Sequence, residues 1–490
     1  GAALDYATSC ALPNAVGDVV VAVLVPPGPA IDVTVRARSS LAPVSVAIAG
    51  QCGNAGTEIA CGGSFIHPQG GLVSKLRARS VGGGASQVAL PLYVSTAAGA
   101  PVTLDIGFEP ASTAPLEETC GTARTIPTDT PVLVEIVDAS ADLTSACAPA
   151  LGELVHRFTL SEPRDVDIYG ISSDGDGIPN LSLRDANCAL AEDEVTCHAG
   201  TTAHIYRHSL PAGDHYVSVS SSAPTLVSLN VVTSAPTPPQ DDEDCNQVAT
   251  IAPGITIPVS FVDHQDDSSL GCFGNAPDAA YNLALSGPSD VLAVLRTTAQ
   301  DSASVQIAMD GCGDGSLVAC GFGAKSPVRA RKRNLPSGAY DVVAESLYAL
   351  PAQLTAFVRP SSPAVLVLTI SPSGGFYQGN TSNQTADFSA GCDQAGGPPN
   401  GAKDQLLRLV LSAQKRVVFD MLGSSYDTLL DIRKGPACPG TEVPLGCTIS
   451  TSANKAFLDL VLDPGTYYVQ IAGVGTASGA WMLDVHVVDP

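Results

Sequence analysis

The chain has 490 residues, of which 45% are hydrophobic and 15% charged, and its 24 basic against 48 acidic residues give a formal net charge of -24. A field of that sign repels phosphate backbones and anionic lipid, which argues against nucleic acid as a partner. No run of about 18 uncharged apolar residues occurs, so no helix is expected to span a membrane, and the length suits about three to four domains.

In chain order, the sequence opens at Gly1 without Met or a basic leader, as a secreted chain does once its signal peptide is removed and as a chain cut at an arbitrary boundary does too. The longest apolar run, Val19 to Pro27, is strand-sized. Val44, Val46 and Ile48 then alternate with smaller residues, as do Leu181 and Leu183, and later Val305, Ile307 and Met309. Aromatic and β-branched segments at His215–Val219, Tyr340–Val343 and Tyr467–Ile471 follow the turn signals Ala212-Gly213, Ser337-Gly338 and Pro464-Gly465. Pro- and acid-rich stretches at Glu109–Glu118, Ala235–Asp244 and Arg359–Pro363 predict stiff, extended linkers. No helical stripe interrupts this pattern. The expected fold is all-β, made of antiparallel sandwiches.

Fourteen cysteines divide the chain into four copies of one module. A late pair recurs as Cys52/Cys61, Cys188/Cys197, Cys312/Cys320 and Cys438/Cys447, each preceded by an opening cysteine: Cys10, Cys147, Cys272 or Cys392. The period is too long for a solenoid, so four sandwich domains are expected at about 1–110, 111–234, 235–360 and 361–490. An even count at repeating spacings argues for disulfides in an oxidising compartment, since zinc sites favour shorter gaps between cysteines. The spacing predicts a bridge within each late pair, together with Cys120–Cys147 and Cys245–Cys272. The alternative joins each linker cysteine to the module before it, as Cys10–Cys120 and Cys147–Cys245. Under the first of these pairings Cys10 and Cys392 are left over and are expected to link neighbouring subunits. The late start of module one also leaves a sheet edge open to a neighbour's strand.

Module four carries a family resemblance. Tyr426-Asp427-Thr428-Leu429-Leu430-Asp431 leads to Cys438 and Cys447, then to Leu462-Asp463-Pro464-Gly465-Thr466-Tyr467-Tyr468-Val469 and to Gly479-Ala480-Trp481-Met482-Leu483-Asp484-Val485. This resembles the bacterial pre-peptidase C-terminal domain and related cysteine-containing repeats of secreted myxobacterial-type proteins. The resemblance implies jelly-roll-like sandwiches on a secreted protein. It is partial in modules two and three and brings no catalytic role with it.

No nucleophile elbow, metalloprotease, phosphate-loop or dinucleotide string is present, so no catalytic residue is assigned and no enzyme is expected. His204, Tyr206 and His208 share one face of a predicted strand and could ligate Zn²⁺ or Cu²⁺, or simply form a polar face. Asp174-Gly175-Asp176-Gly177 resembles the start of a Ca²⁺ loop, but no glutamate follows at the EF-hand spacing, and the same residues suit a plain turn. Asp263, Asp266 and Asp267 form a second acidic loop. No cofactor is otherwise implied. The strand that is histidine-rich in module two is basic elsewhere, with Lys75, Arg77 and Arg79 in module one and Arg329, Arg331 and Arg333 in module three. Each triplet lies on one strand face, as expected of a docking face for acidic neighbours.

These features predict an extracellular structural protein of the cell surface, a filament or sheath subunit that self-associates head to tail. The alternatives are a secreted adhesin or glycan- or protein-binding array, and an accessory module acting with a secreted protease. Aromatics are only 5%, and the single Trp481 occupies a strand position expected to be core, which counts against a glycan platform.

Overall fold

The computed structural model describes all residues except 1–7, 11, 13–16, 67–70, 114, 137–138, 140–142, 144, 148–151, 247–248, 267, 269, 274–275, 299–301, 310, 313–314, 348, 365–367, 394–400 and 451–454. Strand accounts for 58% of the chain, and among the described residues there is no α-helix. The reason is the one visible in the sequence. Alternating β-branched residues bury one face of each strand, and Gly, Pro and Asp turns end the strands before any helical period can develop.

Among the described residues, eight sheets form four face-to-face pairs. In module one, Gly17–Val25, Val88–Thr96, Val44–Ala49 and Glu58–Gly62 oppose Ser64–Ile66, Leu72–Gly84, Gly28–Ser39 and Thr103–Pro110. In module two, the first sheet includes Glu153–Leu160 and Gly213–Ser221, with the short ribbon Arg124–Thr125 parallel at its edge. Its second sheet runs Val132–Ile136, Thr225–Ser234, Arg164–Ser172, Thr202–Leu210. Module three repeats that second sheet as Thr256–Val259, Ala352–Pro360, Ser289–Thr297 and Val328–Leu335. Module four repeats it as Gly375–Asn380, Ala480–Val488, Lys415–Asp420 and Phe457–Leu462. Each pair of sheets encloses its own core. Val35, Ile48 and Leu92 are buried in module one, Phe158, Ile168 and Leu229 in module two, Leu283, Ile307 and Leu354 in module three, and Phe419, Ile432 and Leu483 in module four.

The cysteines pair in a crossed pattern that corrects the expectation from spacing. Opening and second late cysteines join as Cys10–Cys61, Cys147–Cys197, Cys272–Cys320 and Cys392–Cys447. Linker and first late cysteines join as Cys120–Cys188 and Cys245–Cys312. Cα separations are 5.7 to 6.0 Å throughout. No late pair is bridged to itself, and neither Cys120–Cys147, Cys245–Cys272, Cys10–Cys120 nor Cys147–Cys245 forms. The hairpin explains why. Cys197 lies in the Glu194–Ala199 strand opposite Ser182, whereas Cys188 lies in the loop beyond Arg184. A strand advances about 3.3 Å per residue, which carries the second cysteine of a pair out of disulfide reach of the first. The free thiols are therefore Cys52 and Cys438, both exposed, rather than Cys10 and Cys392. Within these 490 residues module four carries no linker cysteine between Cys320 and Cys392.

Candidate functional site

The charged side chains singled out from sequence converge on the contacts between successive modules. In module one the Leu72–Gly84 strand carries Lys75, Arg77 and Arg79. Lys75 Nζ lies 3.1 Å from Asp174 and 3.2 Å from Asp176 of module two, and Arg36 adds a second bond to Asp176 at 2.5 Å. Arg77 bridges Asp32 of its own module at 2.9 Å and Glu135 of module two at 3.0 Å. Arg79 donates to the linker carbonyl of Thr113 at 2.9 Å. The Asp174-Asp176 turn thus meets protein cations where a Ca²⁺ loop would meet the metal.

Sequence reading missed a repeated carboxylate at this junction. Asp32, Asp165 and Asp290 occupy the same place in modules one to three and are at most 1% exposed. Each takes hydrogen bonds from the linker that leaves its module. Asp32 accepts from Ser112 N and Oγ at 3.1 and 2.6 Å, Asp165 from Thr237 N and Oγ1, both at 2.8 Å, and Asp290 from Ser361 Oγ at 3.0 Å. Burial alone would raise the Asp32 pKa. Donation from Ser112, Ser80 and Arg77 outweighs it and pulls the carboxyl down to about 2. The signal was available as Asp-Val at 32, 165 and 290, replaced by Arg416-Val417 in module four.

Modules three and four stack sheet on sheet. Leu292, Val294 and Phe357 of module three pack on Val418, Phe457 and Val488 of module four. Arg329, 2% exposed in its side chain, is paired with the fully buried Asp420 and also donates to Lys455 O at 2.8 Å. Arg331 donates to Leu422 O at 2.5 Å. Arg333 lies 3.9 Å from the centroid of the Phe376 ring, a cation–π contact. Arg359 reaches Asp290 at 2.7 Å and Asp484 at 2.8 Å. Burial opposes ionisation of Asp484, but the His486 and Arg359 charges beside it hold its carboxyl well below the usual carboxylate range. Arg296 and Arg416, one from each module, both bind Asp459, at 2.6 and 2.7 Å. Of the two basic triplets, Lys75, Arg77 and Arg329 bind carboxylates of the next module, whereas Arg79 meets a linker carbonyl and Arg333 the Phe376 ring and Asp290 of its own module.

Between modules two and three the histidine strand takes the same position. His198 Nδ1 accepts the His204 amide at 3.1 Å, so its proton sits on Nε2 and is donated to Leu347 O of module three at 2.6 Å. Burial lowers the His198 pKa, against the opposing hydrogen bond to Leu347. His204 stacks on Tyr169 at 4.5 Å and bonds Asp167 at 2.7 Å. His208 contacts Tyr206 and Asp165, and its amide donates to Gln265 of module three at 3.1 Å. Sequence left a metal site and a plain polar face open for His204 and His208; here the His204 ring contacts Asp167, and the His208 ring contacts Tyr206 and Asp165. Asp263 lines the cavity beside His204; Asp267 lies outside the described residues.

Two clusters place three potential ligands within 4.8 Å, Cys245/Cys312/Asp341 and Asp431/Glu442/Cys447. All three sulfurs are committed to disulfides. Trp481 is 1% exposed and donates to Gln405 Oε1 at 3.1 Å, so it offers no aromatic platform.

The fold and its contacts define a modular, disulfide-bonded all-β protein. No family model and no curated protein matches the chain. Among solved structures, the CUB1-EGF-CUB2 domain of human MASP-1/3 aligns over 48% of this chain and 99% of its own, at 8% identity and a TM-score of 0.15. The Bacteroides ovatus mixed-linkage glucan utilization locus protein SGBP-B aligns over 77% and 98%, at 12% identity and a TM-score of 0.14. Superpositions this loose carry no argument about function.

Proposed function

We propose that the protein is an extracellular structural element, a stiffened array of β-sandwiches whose copies join end to end into a surface filament or sheath. The observation that supports this most is the closure of the charged faces by the next module, with Arg329 and Asp420 at 2% and 0% exposure. A binding array would keep such faces open to ligand. Six disulfides suit an oxidising compartment, and the resemblance of module four to pre-peptidase C-terminal domains suits secretion. The groups that would join copies are the exposed thiols of Cys52 in the first module and Cys438 in the last, oxidised by a disulfide donor of that compartment.

The test is electrophoresis without reductant, paired with electron microscopy, after incubation with oxidised glutathione. A ladder of multimers that collapses in reductant and is lost in the Cys52→Ser and Cys438→Ser variants is expected. A monomer band, with both thiols glutathionylated and no assemblies visible, would reject the reading.

A further inference from the structure

The register sets one residue directly across from the second late cysteine of every module. Ala47 faces Cys61, Ser182 faces Cys197, Gln306 faces Cys320 and Asp431 faces Cys447. On its other side each of these residues has a partner in the next strand: Tyr93, Ser218, Val343 and Gln470 in turn. Three modules thus bury neutral side chains at this place. Module four buries a carboxylate beside an amide, with Asp431 0% and Gln470 1% exposed.

A buried carboxylate is costly unless both oxygens are engaged. Arg433 Nη1 donates to Asp431 Oδ2 at 2.7 Å, but among the described residues no donor reaches Oδ1. Gln470 is half engaged in the same way. Its Nε2 donates to Phe388 O and Asp404 Oδ2, both at 3.3 Å, and no donor among the described residues reaches Oε1. Asp404 adjoins Gln405–Leu411, which flanks Gly465–Gly473 on the side away from Thr428–Lys434. The amide nitrogen is therefore turned away from Asp431, and the oxygen toward it. The third group is Glu442, from the Thr441–Ile449 strand. Its carboxylate lies within 4.8 Å of that of Asp431, and its Oε2 accepts from Gly391 N at 2.7 Å. Burial, and then the Glu442 charge, push the Asp431 carboxyl up to about 6. Three acceptors face one another here with no donor between them, and two of them repel. A proton or a cation is what can join such a set.

We propose that Asp431 Oδ1, Glu442 and Gln470 Oε1 form a site for a hard divalent cation of the Ca²⁺ class, which fastens the segment around Gly391 and Cys392 to the sheet. All three donors are oxygen, which favours Ca²⁺ over zinc or copper. The Cys447 sulfur of the cluster is closed in its bridge to Cys392. Oxygens within 4.8 Å of each other can share one Ca²⁺, whose bonds are about 2.4 Å long. Two carboxylates and one amide are a sparse set, which places the affinity in the range of extracellular modules, a Kd of about 0.1–1 mM. The site is separate from the Asp174-Asp176 turn, whose carboxylates already meet Lys75 and Arg36.

The test uses the intact chain, stripped with chelator and titrated with CaCl₂, read by calorimetry and by hydrogen exchange. Physiological salt screens diffuse binding to the net charge of -24. One saturable site is expected, with exchange at Thr428–Lys434 and Thr441–Ile449 slowed about tenfold at ten times the Kd. Asp431→Ser, which installs the module two residue, and the conservative Glu442→Gln should each abolish the site while the other modules keep their exchange pattern. Asp174→Asn should retain it. Absence of saturable binding, binding that survives Asp431→Ser and Glu442→Gln, or loss of the site in Asp174→Asn alone overturns the inference. So does protection of these strands that is equal with chelator and with Ca²⁺, which would leave a shared proton as the only joint.

Discussion

A buried carboxylate is costly unless its oxygens are engaged, so Asp32, Asp165 and Asp290 stabilise only because linker residues come back to them. Replacing Asp165 by Ala should release Thr237 and Ser209, cost about 1–3 kcal/mol, and open the 235–244 linker to protease. Thermal melts and timed digestion would show this, and an unchanged digestion rate would count against the clamp. Glu345 makes the pH prediction. It is 2% exposed, burial pushes its pKa up to about 7, and Ser304 donates to it at 2.5 Å. The folded state therefore keeps a proton that the unfolded chain loses near the ordinary glutamate value of 4.5. Its contribution to stability is full below that value, falls as pH rises through about 7, and is flat above. The Glu345→Gln variant should lose this slope in melts taken across that window. A slope equal to that of the parent chain would show that another group causes it.

The strands were legible because a period of two survives burial. Val44, Val46 and Ile48 are all at or below 1% exposure, and the turn signals before His215, Tyr340 and Tyr467 each open a strand. The cysteine period likewise marked the repeat. The pairing was not legible, because a bridge depends on where a linker returns after 67 or 68 residues, and spacing along one hairpin carries no record of that. Cys120→Ser should therefore leave Cys188, and not Cys147, reactive to a thiol label in unfolded protein. It should cost module two about 2–4 kcal/mol. Labelling of Cys147 instead would restore the pairing expected from spacing.

At the scale of the whole molecule, the basic triplets were readable as faces, but their acceptors were not. Asp420 lies 91 residues beyond Arg329, and nothing in the local sequence of either residue points to the other. What joins them is the stacking of two sheets, with Phe357 and Val418 on the contact. Buried pairs of this kind fix modules three and four to one another. The most direct measurement is a double-mutant cycle on Arg329→Ala and Asp420→Ala, read from thermal or denaturant unfolding. Each single change should cost about 3–5 kcal/mol by leaving a buried charge alone, and the double should cost much less than their sum, a coupling of at least about 2 kcal/mol. Additive effects, with a coupling near zero, would mean that modules three and four do not hold each other through this face.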